Sequence, residues 1–234
     1  GQYFFSSRSK IYNYFIFIIM FKKIILSIFA GFLFFVSWPP MTNFTFLIFI
    51  AFVPLFIIEL YFYKKEIGLK EYLGYIYLAF FIFNLSVTFW IKHAHLGGAI
   101  FAILCNSFFM TFVFFLYSRI KYLIGQKQSF LIFTILWIGF EYLHLNWDLS
   151  WPWLTLGNIF SAHPNWVQWY SYSGVLGGTC WILIMNFLFL KLYQYKNSYE
   201  LRNFYLVITM LFFLLPIGVS YLIYNNNLQL VSND

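Results

Sequence analysis

The sequence predicts an all-α, polytopic membrane bundle of about seven transmembrane helices. Three observations carry this. Hydrophobic residues make up 62% of the 234-residue chain and charged ones 9%, against about 25% charged in soluble domains. So few charged side chains cannot cover so much apolar surface in water. Seven stretches reach or approach the ~20 apolar residues a span needs. Finally, the Lys and Arg residues, 14 in all, fall into alternate gaps between those stretches, as cytoplasmic loop charges do. A soluble enzyme, a DNA-binding domain and a disordered tail are excluded. The net charge of +7 belongs to loops rather than to a basic face, so no nucleic-acid partner is expected.

The spans run over 24–38, 43–62, 72–91, 98–118, 129–145, 173–194 and 203–224, and the first can extend back through Phe21. With the N-terminus in the cytoplasm, the inside gaps hold every basic residue except Lys92, and residues 225–234 emerge on the outside. Residues 1–20 are read apart from the bundle. The chain begins with Gly1, residues 11–19 are apolar but too short to span, and Met20 followed by Phe-Lys-Lys looks like a natural start. Residues 1–19 are a fragment end, an upstream read-through or an interfacial leader. No repeat of fixed period is visible.

One external segment stands out, Asn146 to Tyr172, with Trp147, Trp151, Trp153, Trp166 and Trp169. Trp38 and Trp90 end two spans on the same side, while Tyr61, Tyr63, Tyr193 and Tyr195 stand on the other. Either this is an aromatic belt, or the segment lies in the outer headgroup layer, dipping into the bilayer or covering a groove open to lipid. Pro152 and Pro164 break helical runs in it, and Gly157-Asn158 supply a turn.

Polar groups inside spans are costly, so each is weighed. Glu141 lies near the outer end of the fifth span, with His144 a helical neighbour; it is a functional group or a polar contact inside the bundle. Asn84, Ser86, Asn106 and Ser107 are expected to hydrogen-bond between helices. Glu59 is expected to reach for the headgroups near Lys64. His93 and His95 form a polar loop, with no third ligand nearby for a metal, and His163 is a turn residue. Gly97-Gly98 and Gly174, Gly177 and Gly178 are expected to let helices approach closely. Cys105 and Cys180 lie in apolar runs, as inert packing thiols. No nucleophile elbow, HExxH or CxxC is present, no metal site is expected, and no motif calls for a cofactor.

These residues resemble those of a known family. Ser37-Trp-Pro-Pro leading to Phe52-Val-Pro-Leu, Glu141 followed by Trp151-Pro-Trp-Leu and Leu156-Gly-Asn, residues 165–186, and residues 89–106 together resemble bacterial apolipoprotein N-acyltransferases over about 21–224. The 89–106 stretch is in the style of the Bacteroidetes members. The resemblance implies an enzyme of the bacterial cytoplasmic (inner) membrane. It would move an acyl chain from a phospholipid donor, through a cysteine thioester, to the N-terminal amine of a diacylglyceryl-cysteine apolipoprotein. It also implies an external carbon–nitrogen hydrolase (nitrilase-like) domain carrying a Glu-Lys-Cys triad, of which 225–234 would be the start. Neither Cys105 nor Cys180 can replace that nucleophile within a span, so no catalytic residue is assigned and the chain alone is expected to be inactive. The expected contribution is a lipid groove formed by the Trp-Pro-Trp loop and the ends of the third, fifth and sixth spans. Its candidate substrate-binding residues are Glu141, Trp147, Trp151, Pro152, Trp153, Trp169 and Tyr170. Glu141, Pro152 and Trp153 carry the family match; the others rest on position and chemistry. Two alternatives are a non-catalytic membrane scaffold and a transporter of lipidic solutes. Few ionisable residues lie deep in spans, which disfavours the transporter.

Overall fold

Each of the seven apolar stretches returns as helix, the second of them in two pieces. The computed structural model describes the backbone of residues 2–40, 42, 44–148 and 150–232, and side chains within 20–225 apart from 41, 43 and 149. The helices are α1 (Gln2–Ser37), α2 (Ile48–Ala51), α3 (Val53–Tyr63), α4 (Leu69–Thr88), α5 (Leu96–Ile124), α6 (Ser129–Leu145), α7 (Tyr170–Gln194) and α8 (Tyr199–Ser232). Spans long and apolar enough to cross a membrane are Met20–Ser37, Thr45–Tyr63, Leu69–His93, Leu96–Ile124, Gln126–Leu145, Tyr170–Gln194 and Tyr199–Asn225. The structure is thus an all-α polytopic bundle, and most spans run a few residues beyond their predicted ends. Helix α1 extends back through the segment read apart, and α8 continues to Ser232.

Lipid is as apolar as leucine, so burial alone cannot join these helices; close packing and polar contacts must. The centre is aromatic. Phe34 of α1, Phe52, Phe56 of α3, Phe80 of α4, Phe114 of α5, and Phe133 and Trp137 of α6 are all fully buried. Phe52 meets Phe34 and Trp137 edge-on at 4.8 Å, and Phe56 meets Phe133 at 4.8 Å. Such edge-to-face pairs contribute about 0.5–1.5 kcal/mol each beyond area burial. Gly31 lets α1 press on α4: a Cβ there would lie 2.8 Å from the Ala79 carbonyl oxygen.

Side-chain amides repair backbone breaks. The second span is two helices, interrupted at Phe52, just before Pro54. Asn186 of α7 bridges the gap: its Oδ1 accepts from Phe52 N at 2.8 Å and its Nδ2 donates to Ile48 O at 2.8 Å. Pro216 inside α8 has no N–H for the Phe212 carbonyl one turn back. The Trp181 indole of α7 donates to that carbonyl instead, at 2.8 Å. We expect Trp181→Phe to strand that carbonyl and cost about 1–3 kcal/mol, read as a lower thermal midpoint in detergent, with α8 becoming more accessible to protease.

Several polar expectations change. Glu59 does not reach for headgroups. It is buried and pairs with Lys121 of α5 at 2.6 Å, a partner far away in sequence and hidden from local reading. Asn106 does bond across helices, donating to Asn84 Oδ1 at 2.6 Å. Ser107, however, bonds back to Ile103 O in its own helix, and Ser86 takes no part. Gly97 and Gly98 meet only His95, whose Nδ1 caps α5 by accepting from Gly98 N at 2.9 Å; they serve a helix start rather than a helix contact. The four tyrosines away from the tryptophans each lie under a cation: Tyr61 under Lys23, Tyr63 under Lys121, Tyr193 under Lys196 and Tyr195 under Lys191.

Candidate functional site

At the tryptophan-rich end, residues 150–169 fold over the bundle with three 3-10 turns, Pro152–Leu154, Leu156–Ala162 and Pro164–Trp166. Pro152 and Pro164 each open a turn, where a missing N–H costs nothing. The segment does not float as a belt. Leu154, Leu156, Ile159, Phe160 and Val167 are buried in the common core, and Phe160 stacks on Trp181 at 5.1 Å. Trp38, expected among the interface tryptophans, is buried against Phe83.

Glu141 is what holds this loop down. It is 3% exposed. Its Oε1 accepts from Trp137 Nε1 at 3.0 Å and from Leu156 N at 2.9 Å. Its Oε2 accepts from Thr179 Oγ1 at 2.6 Å. Thr179 in turn accepts from Gly157 N at 3.1 Å. The carboxyl group therefore joins α6, α7 and the loop through three donors, acting only as an acceptor. Tyr170 adds a fourth tie, donating to Gly157 O at 2.9 Å. Gly157 must be glycine in this packing, since a Cβ would overlap the Val175 carbonyl oxygen of α7. Gly178 likewise makes room for the Tyr170 ring. Gly177 and Gly178 thus make room for Ser173 and the folded-back Tyr170 ring, not for the helix–helix approach expected of them. Helix α7 is kinked at Gly174, which takes φ 64°.

The seven expected residues do not line one groove. Glu141 and Tyr170 lie beneath the loop. Trp169 meets Tyr170 and Trp181 and borders an apolar cleft of about 640 Å³ between α7 and α8, with Gly177, Cys180, Leu215 and Val219. Trp151 is half-buried, its N–H donating to His144 O. Pro152 and Trp153 are exposed on the rim, where Trp153 meets Trp90 edge-on at 6.2 Å. Trp147 lies elsewhere, against Phe109 and His144 on the α5–α6 face. His163 stacks on Trp166 at 4.5 Å. Thr179 is the member that sequence reading missed; its only local signal is a hydroxyl after Gly177-Gly178. Both thiols, Cys105 and Cys180, are free and half-buried within spans.

The family model for the apolipoprotein N-acyltransferase N-terminal domain matches residues 30–188. That range covers Trp38, Asn84, Glu141, the whole loop, Thr179 and Asn186. The chain belongs to this family. The apolipoprotein N-acyltransferase of Chlorobaculum tepidum is 28% identical over 184 residues, which are 77% of this chain and 34% of the relative. The chain thus spans about a third of the length of the curated relative it matches. No solved structure matches it.

Proposed function

We propose that the chain is the membrane part of an apolipoprotein N-acyltransferase of the bacterial inner membrane. Its basic end faces the cytoplasm, following the bias of Lys and Arg. The complete enzyme transfers an acyl chain from a phospholipid to the N-terminal amine of a diacylglyceryl-cysteine lipoprotein. The observation that carries this reading is the Glu141-anchored aromatic loop lying wholly inside the matched region. Pro152, Trp153 and Trp90 offer an exposed apolar rim, and Trp169 borders a cleft of about 640 Å³ able to take an acyl chain. Glu141 and Tyr170 position that surface from beneath, and Trp151 flanks it; Trp147 stands apart on the α5–α6 face.

In this reading the chain holds lipid and does not supply the covalent step. A thiolate is needed as nucleophile, and both thiols here sit in helices embedded in apolar surroundings. The test uses cells depleted of their own N-acyltransferase. The chain alone should leave a reporter lipoprotein diacylated. Co-expressed with the remaining two-thirds of the Chlorobaculum relative, it should restore N-acylation, and Trp153→Ala should reduce that restoration. Failure of the pair while each part is inserted and stable would overturn the reading, as would a labelled acyl-cysteine on the chain alone.

A further inference from the structure

Helix α8 is weakened at one depth. Pro216 lies inside it, where the ring supplies no N–H for the Phe212 carbonyl and crowds it. Gly218 follows, exposed and with open space around it, and glycine is a poor helix former. On the near side of this break α8 is fixed to the bundle. The Trp181 indole holds the Phe212 carbonyl at 2.8 Å. Phe213 packs edge-on to Phe49 at 5.6 Å, and Phe49 meets Trp181 at 4.8 Å.

Beyond the break the attachment thins. Among the described residues from 217 to 225, Ser220 alone is buried. Its hydroxyl accepts from Gln168 N, and among the described residues this is the one hydrogen bond joining the arm to the rest of the chain. Gln168 is itself held in place. Val167 beside it is buried, and the Gln168 Nε2 donates to Pro164 O at 3.0 Å. The arm also forms a wall. Leu215 and Val219 line the apolar cleft of about 640 Å³ whose α7 side carries Gly177 and Cys180.

We infer that residues 217–225 swing about Pro216 as a hinged wall of the α7–α8 cleft, latched shut where the Ser220 hydroxyl accepts from Gln168 N. From Pro216 to Asn225 the helix rises about 13 Å, so a change of about 20° in the kink moves the far end by about 5 Å. Swinging out widens the cleft at Val219 and leaves the bond from Trp181 to Phe212 intact. Because the latch sits on the loop, the segment that Glu141 anchors also sets how far the cleft opens. The motion belongs to the helix and stands whether or not the cleft receives an acyl chain.

The full chain, with Cys105 and Cys180 replaced by alanine, is placed in lipid nanodiscs with pairs of nitroxide labels, and distances are read by double electron–electron resonance. The outer pair joins Tyr142→Cys on α6 to Asn225→Cys on the arm. The inner pair joins Tyr142→Cys to Val207→Cys on the near side of the break; all three positions are exposed. The outer pair should show a main distance and a minor longer one. Ser220→Ala should raise the ratio of longer to main about five- to tenfold, the scale of one hydrogen bond, while the inner pair stays unchanged. Pro216→Ala restores a backbone donor to Phe212 and should remove the longer distance. An outer distribution unmoved by Ser220→Ala overturns the hinge. So does an equal shift of both pairs, which would mean that α8 moves whole. If Ser220→Ala fails to fold, the parent chain and Pro216→Ala decide alone: identical outer distributions in those two overturn the inference.

Discussion

Replacing Glu141 by alanine should release the loop from the bundle. Three donors converge on this one carboxyl group: Trp137 Nε1, Leu156 N and Thr179 Oγ1. Each buried donor left unsatisfied costs about 1–3 kcal/mol. The least costly response is for the loop to lift and let water in. Glu141→Ala should therefore lower the thermal midpoint strongly and open residues 146–169 to limited proteolysis. Glu141→Gln keeps the volume and one acceptor oxygen but turns an amide NH₂ toward existing donors, so its effect should be intermediate. Thr179→Val removes one donor to Glu141 and the acceptor of Gly157 N but leaves Leu156 N and Trp137 Nε1 on the carboxyl group, so it should be mildest. The order Ala, Gln, Val, with protease sensitivity following it, is the expected result. Equal, small effects from all three would mean that the apolar contacts of Leu156, Ile159 and Phe160 hold the loop unaided.

The second large effect is expected at the other end of the bundle. Glu59 and Lys121 are both 2% exposed by side chain and form a 2.6 Å ion pair. Tyr63 and Tyr117 lie under the ammonium at 4.7 and 5.5 Å. Removing one partner of a buried pair typically costs about 3–5 kcal/mol, whereas replacing both by apolar residues is often neutral. Lys121→Met should accordingly destabilise severely, stranding the Glu59 carboxylate between α3, α4 and α5. Adding Glu59→Leu to that variant should recover most of the loss. Thermal unfolding of the two single variants and the double in the same detergent checks this. A double variant as weak as the worse single would show that the charges do more than neutralise each other.

The contrast between Glu141 and Glu59 shows what the sequence made legible. Seven spans could be read from apolar length, because hydrocarbon thickness sets a length that local composition reports directly. Span ends followed from the charged gaps. Glu141 drew notice because a carboxyl group near a span's end must be explained locally. Its partners Thr179 and Leu156 could not be read, because they lie on α7 and on a turn brought close only by tertiary folding. The same limit hid Lys121 from Glu59. The expectation of a single groove for all seven site residues failed for a related reason. Trp147 and Trp153 are close in sequence, but the turns between them send one to the α5–α6 face and the other to the rim beside Trp90. Glycine spacing misled too, since Gly177 and Gly178 are small to make room for Ser173 and for the Tyr170 ring.

Helix α8 buries 11% of its most apolar stretch, against 28–56% for the other spans. Among the described residues two polar pins hold it to its neighbours: the Trp181 indole on the Phe212 carbonyl, and the Ser220 hydroxyl accepting from Gln168 N. One pin is set in the sixth span, the other in the folded loop. Mechanically the molecule is a six-span body with a lever laid along its side. Force applied to the C-terminal end of that lever would meet the loop's pin before the span's, so α8 would peel away in stages while the body kept its shape.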